Sequence, residues 1–364
     1  MSMIERFGHG GDVWTAADTF GVSSEAFLDF SANINPLGPP PVVAERLQQA
    51  LEGIVHYPDP GHRKMKAALS ARLQVPQERI GIGNGAAECM ALLLLAFQPR
   101  VVGVIAPCFS EYEALSRQFG ADVVTVVGQE EAGFQATEEQ LYQLMLETDL
   151  VFIGHPNNPT GIVYDRERLE RAARMAEKTN TLLAVDEAFI DFLPQEEKVS
   201  LLPVQHQYKQ LIIIRSLTKF YAIPGLRLGY AVAHPELIAA MSAKQVTWSV
   251  NGLALAAGEA LLTDKHYDDY VRATRELIVT ERTLLRERLA SLGIKTWPSE
   301  ANFLLCRAPA LWTAKRLQEE LGRRGILIRN CDMYTGLKAG DFRIAIKNRT
   351  LNEHLAVSVQ AVLH

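Results

Sequence analysis

The sequence runs to 364 residues, 48% hydrophobic and 22% charged, with a formal net charge of −5. This is ordinary globular composition, and the mild acidity offers no electrostatic footprint for nucleic acid or an anionic membrane. An anionic substrate would need a local basic pocket, and the length suffices for a large domain and a smaller one.

The N-terminal stretch MSMIERFGHGGD lacks a signal-peptide apolar segment, and the longest apolar run, residues 90–97, is too short to span a bilayer. Cys89, Cys108, Cys306 and Cys331 form no CxxC pair and have no histidine at metal-ligand spacing. They read as reduced structural thiols, so a cytoplasmic protein is expected. Residues 1–40 are rich in loops, and helical periodicity starts near Val42 and Arg63. Short apolar runs at 80–83, 101–106, 123–127, 150–154, 182–185, 211–214 and 228–232 predict strands buried on both faces. Amphipathic stretches at 110–119, 138–146 and 166–179 predict the crossover helices. The expected fold is α/β, with a large, mainly parallel sheet domain at 41–265.

Past residue 265 the pattern changes. A charged stretch at 266–292 predicts one long helix. Short strands are predicted near 294–296, 303–306, 326–328 and 342–346, with helices at 311–324 and 351–362. These form a smaller α+β domain, and residues 1–40 are expected to pack with 266–364.

Chemistry-bearing residues collect at the C-terminal ends of the predicted strands, where open α/β sheets bind ligands. Lys219, in Ser216-Leu217-Thr218-Lys219, offers an amine. Ser216, Thr218 and Arg227, the last in Gly225-Leu226-Arg227-Leu228-Gly229, offer two hydroxyls and a guanidinium, a good phosphate set. Asp186 ends a buried strand, where a carboxylate needs a cationic partner. Asn158, in the turn His155–Gly161, offers a side-chain amide donor. Ala86 and Ala87 follow Gly83-Asn84-Gly85 at a predicted helix start, whose backbone N–H groups suit an anion. Phe109, after another strand, can stack on a ring. An amine, an acid, a phosphate cradle, a hydroxyl partner and a stacking face are the parts that pyridoxal phosphate (PLP) requires.

The order NNPTG, DEAF, SLTK, GLRLG resembles the fold-type I PLP enzymes of the class I/II aminotransferase superfamily, over nearly the whole chain. More narrowly it is similar to the branch that holds histidinol-phosphate aminotransferases and threonine-phosphate decarboxylases. HGGD, DFSANINPLG and RSLTKFYAIPGLRLGY look like the decarboxylases of cobalamin biosynthesis. The resemblance implies that Lys219 carries PLP as a Schiff base, Asp186 pairs with the pyridine nitrogen, and Asn158 bonds the ring hydroxyl. It implies that Phe109 stacks on the ring and that Ser216, Thr218, Arg227 and the Ala86/Ala87 backbone hold the phosphate. Tyr57 matches a tyrosine that reaches the phosphate of the partner subunit, so a homodimer is implied. Arg343 matches the arginine that grips a substrate carboxylate, and Arg329 one that binds a phosphorylated substrate. Asn33 and His9 join the implied substrate pocket, His9 from either subunit.

One residue departs from the aminotransferase pattern. Phe189 stands where many of these enzymes have a tyrosine that bonds the ring hydroxyl, and phenylalanine cannot donate there. Ile34 stands where histidinol-phosphate aminotransferases carry an acidic residue. Both favour decarboxylation of O-phospho-L-threonine, with histidinol-phosphate transamination and O-phosphoserine decarboxylation as alternatives. A non-catalytic DNA-binding regulator on the same fold is disfavoured, because the chain shows no basic excess and no spare N-terminal module.

Overall fold

The structure, a computed structural model, describes residues 10–363. Helix α1 (Val13–Phe20) opens on Asp12, whose carboxylate accepts the Thr15 N–H at 3.0 Å, and closes on Gly21 in the left-handed conformation. Strand β1 (Leu28–Asp29) and helices α2 (Pro41–Ala50) and α3 (Arg63–Leu73) follow. Then strands and helices alternate: β2 (Ile80–Gly83), α4 (Ala86–Phe97), β3 (Val101–Ala106), α5 (Ser110–Gln118), β4 (Asp122–Val127), α6 (Glu138–Glu147), β5 (Leu150–Gly154) and α7 (Arg166–Thr179). The run closes with β6 (Leu182–Asp186), β7 (Leu211–Ser216), β8 (Gly229–Val232), α8 (Pro235–Ser242) and α9 (Gly252–Thr263).

Seven of these strands make one sheet in the order β2-β8-β7-β6-β5-β3-β4. β8 runs antiparallel to both neighbours, and the pairs from β7 through β4 are parallel. The pleat sends alternate side chains to opposite faces. Ile213, Val185 and Val151 enter one hydrophobic layer, while Ile212, Ile214, Ala184 and Phe152 enter the other. Each such fully buried valine, isoleucine or phenylalanine side chain stabilises the fold by about 1.5–3 kcal/mol. β4 corrects an expectation: it pairs only with β3, at the sheet edge, and part of it is exposed. Its valine-rich composition suits an edge strand as well as a central one.

The rest of the chain adds α10 (Tyr267–Ser291), β9 (Lys295–Thr296), β10 (Phe303–Arg307), α11 (Ala314–Gly322), β11 (Ile326–Leu327), β12 (Arg329–Asn330), β13 (Asp341–Ala345) and α12 (Arg349–Leu363). A second, antiparallel sheet runs β12-β13-β10-β9. Two predicted elements change here. The strand expected at 326–328 is two: β11 pairs in parallel with β1, and β12 turns away to β13. The helix expected from 311 starts at Ala314, because Thr313 caps it by accepting the Arg316 N–H at 3.2 Å. The N-terminal segment reaches this layer through β1 and through Phe30, whose carbonyl accepts the Ala345 N–H at 2.8 Å. Among the described residues, no helix is long and apolar enough to cross a membrane.

Candidate active site

Strand register gathers the rim of the large sheet. Gly154 pairs with Asp186, Asp186 with Ile214, and Gly229 with both Ser216 and Gly83. The C-terminal ends of β5, β6 and β7 therefore lie side by side. Lys219 stands in the turn after β7, with Nζ 3.4 Å from Ser216 Oγ. Burial pushes its pKa down to about 8; Asp186 pulls the other way, and the Arg227 and Arg343 guanidiniums add to the push. Asp186 is itself buried, which raises its pKa. Two donors oppose that effect: Tyr112 Oη donates to Asp186 Oδ2 at 2.7 Å, and the Ala188 N–H to Oδ1 at 3.0 Å.

Beside Lys219 the side chains of Ser216 and Thr218 meet, Oγ to Oγ1, at 2.7 Å. Arg227 adopts a left-handed backbone (φ 59°), and its guanidinium lies across Gly85, where an added Cβ would be 2.5 Å from Nη2. Gly229 likewise lies close under Ala86: a Cβ there would be 2.5 Å from the Ala86 nitrogen. Helix α4 starts at this point without a side-chain cap, so its first N–H groups, those of Ala86 and Ala87, are left for other acceptors.

On the opposite wall Arg343 Nη1 donates to Asn158 Oδ1 at 2.5 Å, and Nη2 to the Ser31 carbonyl at 2.6 Å. With its oxygen so engaged, Asn158 keeps the NH2 of its amide as a donor. Arg329 pairs directly opposite Arg343 in the β12–β13 ladder, and both are buried. Cross-strand partners project on one face with Cβ atoms about 5 Å apart, so two guanidiniums share one wall. Arg329 Nη2 donates to Tyr334 Oη at 3.4 Å. Asn33 is buried nearby; its carbonyl accepts from Asn302 Nδ2 at 3.0 Å, and its Oδ1 has no hydrogen bond. Phe109 meets Tyr112 edge-on at 5.6 Å, and Phe189 meets Phe303 edge-on at 5.0 Å beneath Arg343.

Register and contacts thus tie Lys219, Asp186, Asn158, Ser216, Thr218, Arg227, Arg343 and Arg329 to the rim, with Ala86 and Ala87 at the start of α4, Phe109 one contact from Asp186 through Tyr112, and Asn33 two residues from Ser31. Tyr57 does not join them within the chain. It is 78% exposed, stacks on Trp248 at 4.3 Å, and lines a groove of about 1460 Å³ with Ile54 and Val55. His9 lies outside the described residues. Two site residues went unnoticed in the sequence. Tyr112 stands three positions after Phe109, one helical turn on, which is the one signal that pointed to it. Asn35 donates its N–H to the Lys219 carbonyl at 3.1 Å and its Nδ2 to the Phe220 carbonyl at 2.7 Å, a brace with no local sequence mark.

Known proteins share this frame. The chain is 38% identical to the threonine-phosphate decarboxylase of Salmonella typhimurium, over 98% of this chain and 96% of that protein. Its fold superposes on the histidinol-phosphate aminotransferase of Clostridium acetobutylicum with a TM-score of 0.85 at 30% identity, covering 92% of this chain and 98% of that one. The L-threonine-O-3-phosphate decarboxylase of Porphyromonas gingivalis gives a TM-score of 0.80 at 25% identity, covering 92% and 98%. Residues 25–359 match the profile described as aminotransferase class I and II, and the chain belongs to that family.

Proposed function

We propose that this protein is a PLP-dependent carboxy-lyase that converts O-phospho-L-threonine to (R)-1-aminopropan-2-yl phosphate for cobalamin biosynthesis, as a cytoplasmic homodimer. The observation that carries the substrate is the in-register pair Arg329 and Arg343, two buried guanidiniums on one wall beside Lys219. A dianionic phosphate and a carboxylate on one molecule suit them. Similarity to the threonine-phosphate decarboxylases of Salmonella typhimurium and Porphyromonas gingivalis supports the same reading.

The residues present fit PLP. Ser216, Thr218, Arg227 and the start of α4 supply phosphate donors, Asp186 a buried anion for the pyridine nitrogen, and Asn158 an amide donor for the ring hydroxyl. When bound, PLP supplies an electron sink for the bond broken at the substrate α-carbon. Lys219 would hold the cofactor at rest. Arg343 orients the substrate carboxylate, and Arg329 anchors the phosphate. Remote binding energy at Arg329 fixes the torsion about the α-carbon, so that the bond to the carboxylate breaks rather than the bond to hydrogen. The substrate carboxylate would leave as carbon dioxide, and the Lys219 amine would deliver a proton to the α-carbon. Phe189 gives the ring hydroxyl no donor and leaves Asn158 alone in that role. The division into residues 41–265, with residues 1–40 and 266–364 forming the smaller unit, belongs to the same proposal.

The test is to incubate PLP-loaded protein with O-phospho-L-threonine and measure carbon dioxide and amine, with O-phosphoserine and with histidinol phosphate plus 2-oxoglutarate in parallel. Carbon dioxide from phosphothreonine without amino transfer is the expected result. Glutamate from the histidinol phosphate reaction, without carbon dioxide, would move the protein to the aminotransferases.

A further inference from the structure

Asp186 is the buried anion of the site, and a carboxylate in that setting has two weaknesses. Burial favours its neutral form, and a short side chain at a strand end can rotate. Three features answer both. Tyr112 is 1% exposed and gives its single phenolic proton to Asp186 Oδ2 at 2.7 Å. Its ring is fixed by stacking on Phe152, 5.0 Å and 7° from parallel, and by the edge contact with Phe109 at 5.6 Å. Gly154, the β5 residue paired with Asp186, has no side chain. A Cβ there would stand 3.2 Å from Tyr112 Oη and 2.9 Å from Asn157 Oδ1.

We infer that Tyr112 is a positioning residue for Asp186, which it reaches through the opening that Gly154 leaves in the sheet. With the Ala188 N–H on Oδ1 and Tyr112 on Oδ2, each oxygen has one donor and keeps one lone pair. The carboxylate is thereby fixed in rotation and biased toward its charged form. One short helix start supplies both a ring face, Phe109, and the donor that aims the carboxylate, Tyr112. The inference rests on the PLP reading above, because it concerns what Asp186 does for a pyridine nitrogen.

The experiment compares wild type with Tyr112→Phe, which keeps the ring and removes only the hydroxyl. Apoprotein is titrated with PLP, and the visible absorbance of the loaded protein is followed against pH. The expected result is PLP affinity weaker by about ten-fold, the scale of one hydrogen bond to a charged group. The absorbance midpoint should also rise by roughly half a unit, because a ring nitrogen with less positive charge repels the Lys219-bound proton less. Gly154→Ala, which crowds the same hydrogen bond, should weaken affinity in the same direction. If Tyr112→Phe lowers the melting temperature while affinity and midpoint stay at wild-type values, Tyr112 only packs, and the inference is wrong. If wild type itself takes up no PLP, the functional proposal fails instead.

Discussion

In the proposed mechanism Lys219 has to be an amine when it captures the cofactor and an ammonium when it returns a proton, so its pKa decides how well it serves at neutral pH. Burial brings it to about 8, where an unperturbed lysine would stay almost wholly charged. Only the neutral amine attacks an aldehyde. The rate of PLP capture by apoprotein should therefore rise with pH and level off above about pH 8, and stopped-flow absorbance between pH 6.5 and 9.5 would show it. A rate still climbing in proportion to hydroxide at pH 9.5 would mean that the amine is solvated as in a free lysine. At this scale the sequence was most legible where a polar residue interrupts an apolar strand pattern. Asp186 stood out because a carboxylate at a buried strand end needs a cationic partner, and Asn158 because its turn follows the C-terminal end of a strand. Tyr112 and Asn35 did not stand out, since their importance lies in single tertiary hydrogen bonds made to Asp186 and to the Lys219–Phe220 backbone.

The informative element is the short ladder between β12 and β13. Its register sets Arg329 against Arg343, a like-charge pairing that costs stability unless an anion lies between or beside the two. Arg329→Ala should raise KM for the phosphorylated substrate by roughly 10- to 100-fold, with a smaller fall in kcat. Steady-state kinetics on the variant would check this, and an unchanged KM would place the phosphate elsewhere. The sequence predicted a strand here but missed its break after Leu327. A run of Ile-Leu-Ile has the same apolar pattern whether it feeds one sheet or crosses between two. Burial of Arg329 was equally hidden, because nothing local distinguishes an arginine on a covered ladder from one at an open edge. β4 shows the reverse limit: its partners, rather than its residues, decide that it is the edge.

For the whole molecule, the proposed homodimer would set a second copy of the chain over the groove that Tyr57 and Trp248 line. Hybrid dimers of Tyr57→Phe and Lys219→Ala subunits should then contain one intact site, built from the lysine of one subunit and the tyrosine of the other. Mixing the two variants should restore activity above either alone; failure to do so under subunit exchange would count against shared sites. The α/β architecture was legible almost strand by strand, since each central strand is a short apolar run bounded by turn residues. Which strand is reversed, and how the N-terminal segment joins the C-terminal layer, depends on pairing between distant segments, which periodicity does not encode.

That joining has a consequence for biosynthesis of the chain. Arg343 donates to the carbonyl of Ser31, 312 positions earlier, and β1 pairs with β11. A ribosome releases Ser31 long before Arg343 exists. The central sheet can close on its own strands as they emerge, but the proposed substrate wall of Arg329 and Arg343 cannot form until translation has passed β13. A nascent chain paused before that point would hold the strands of the large sheet without the arginine wall, so the proposed substrate wall is the last part of the site to be completed.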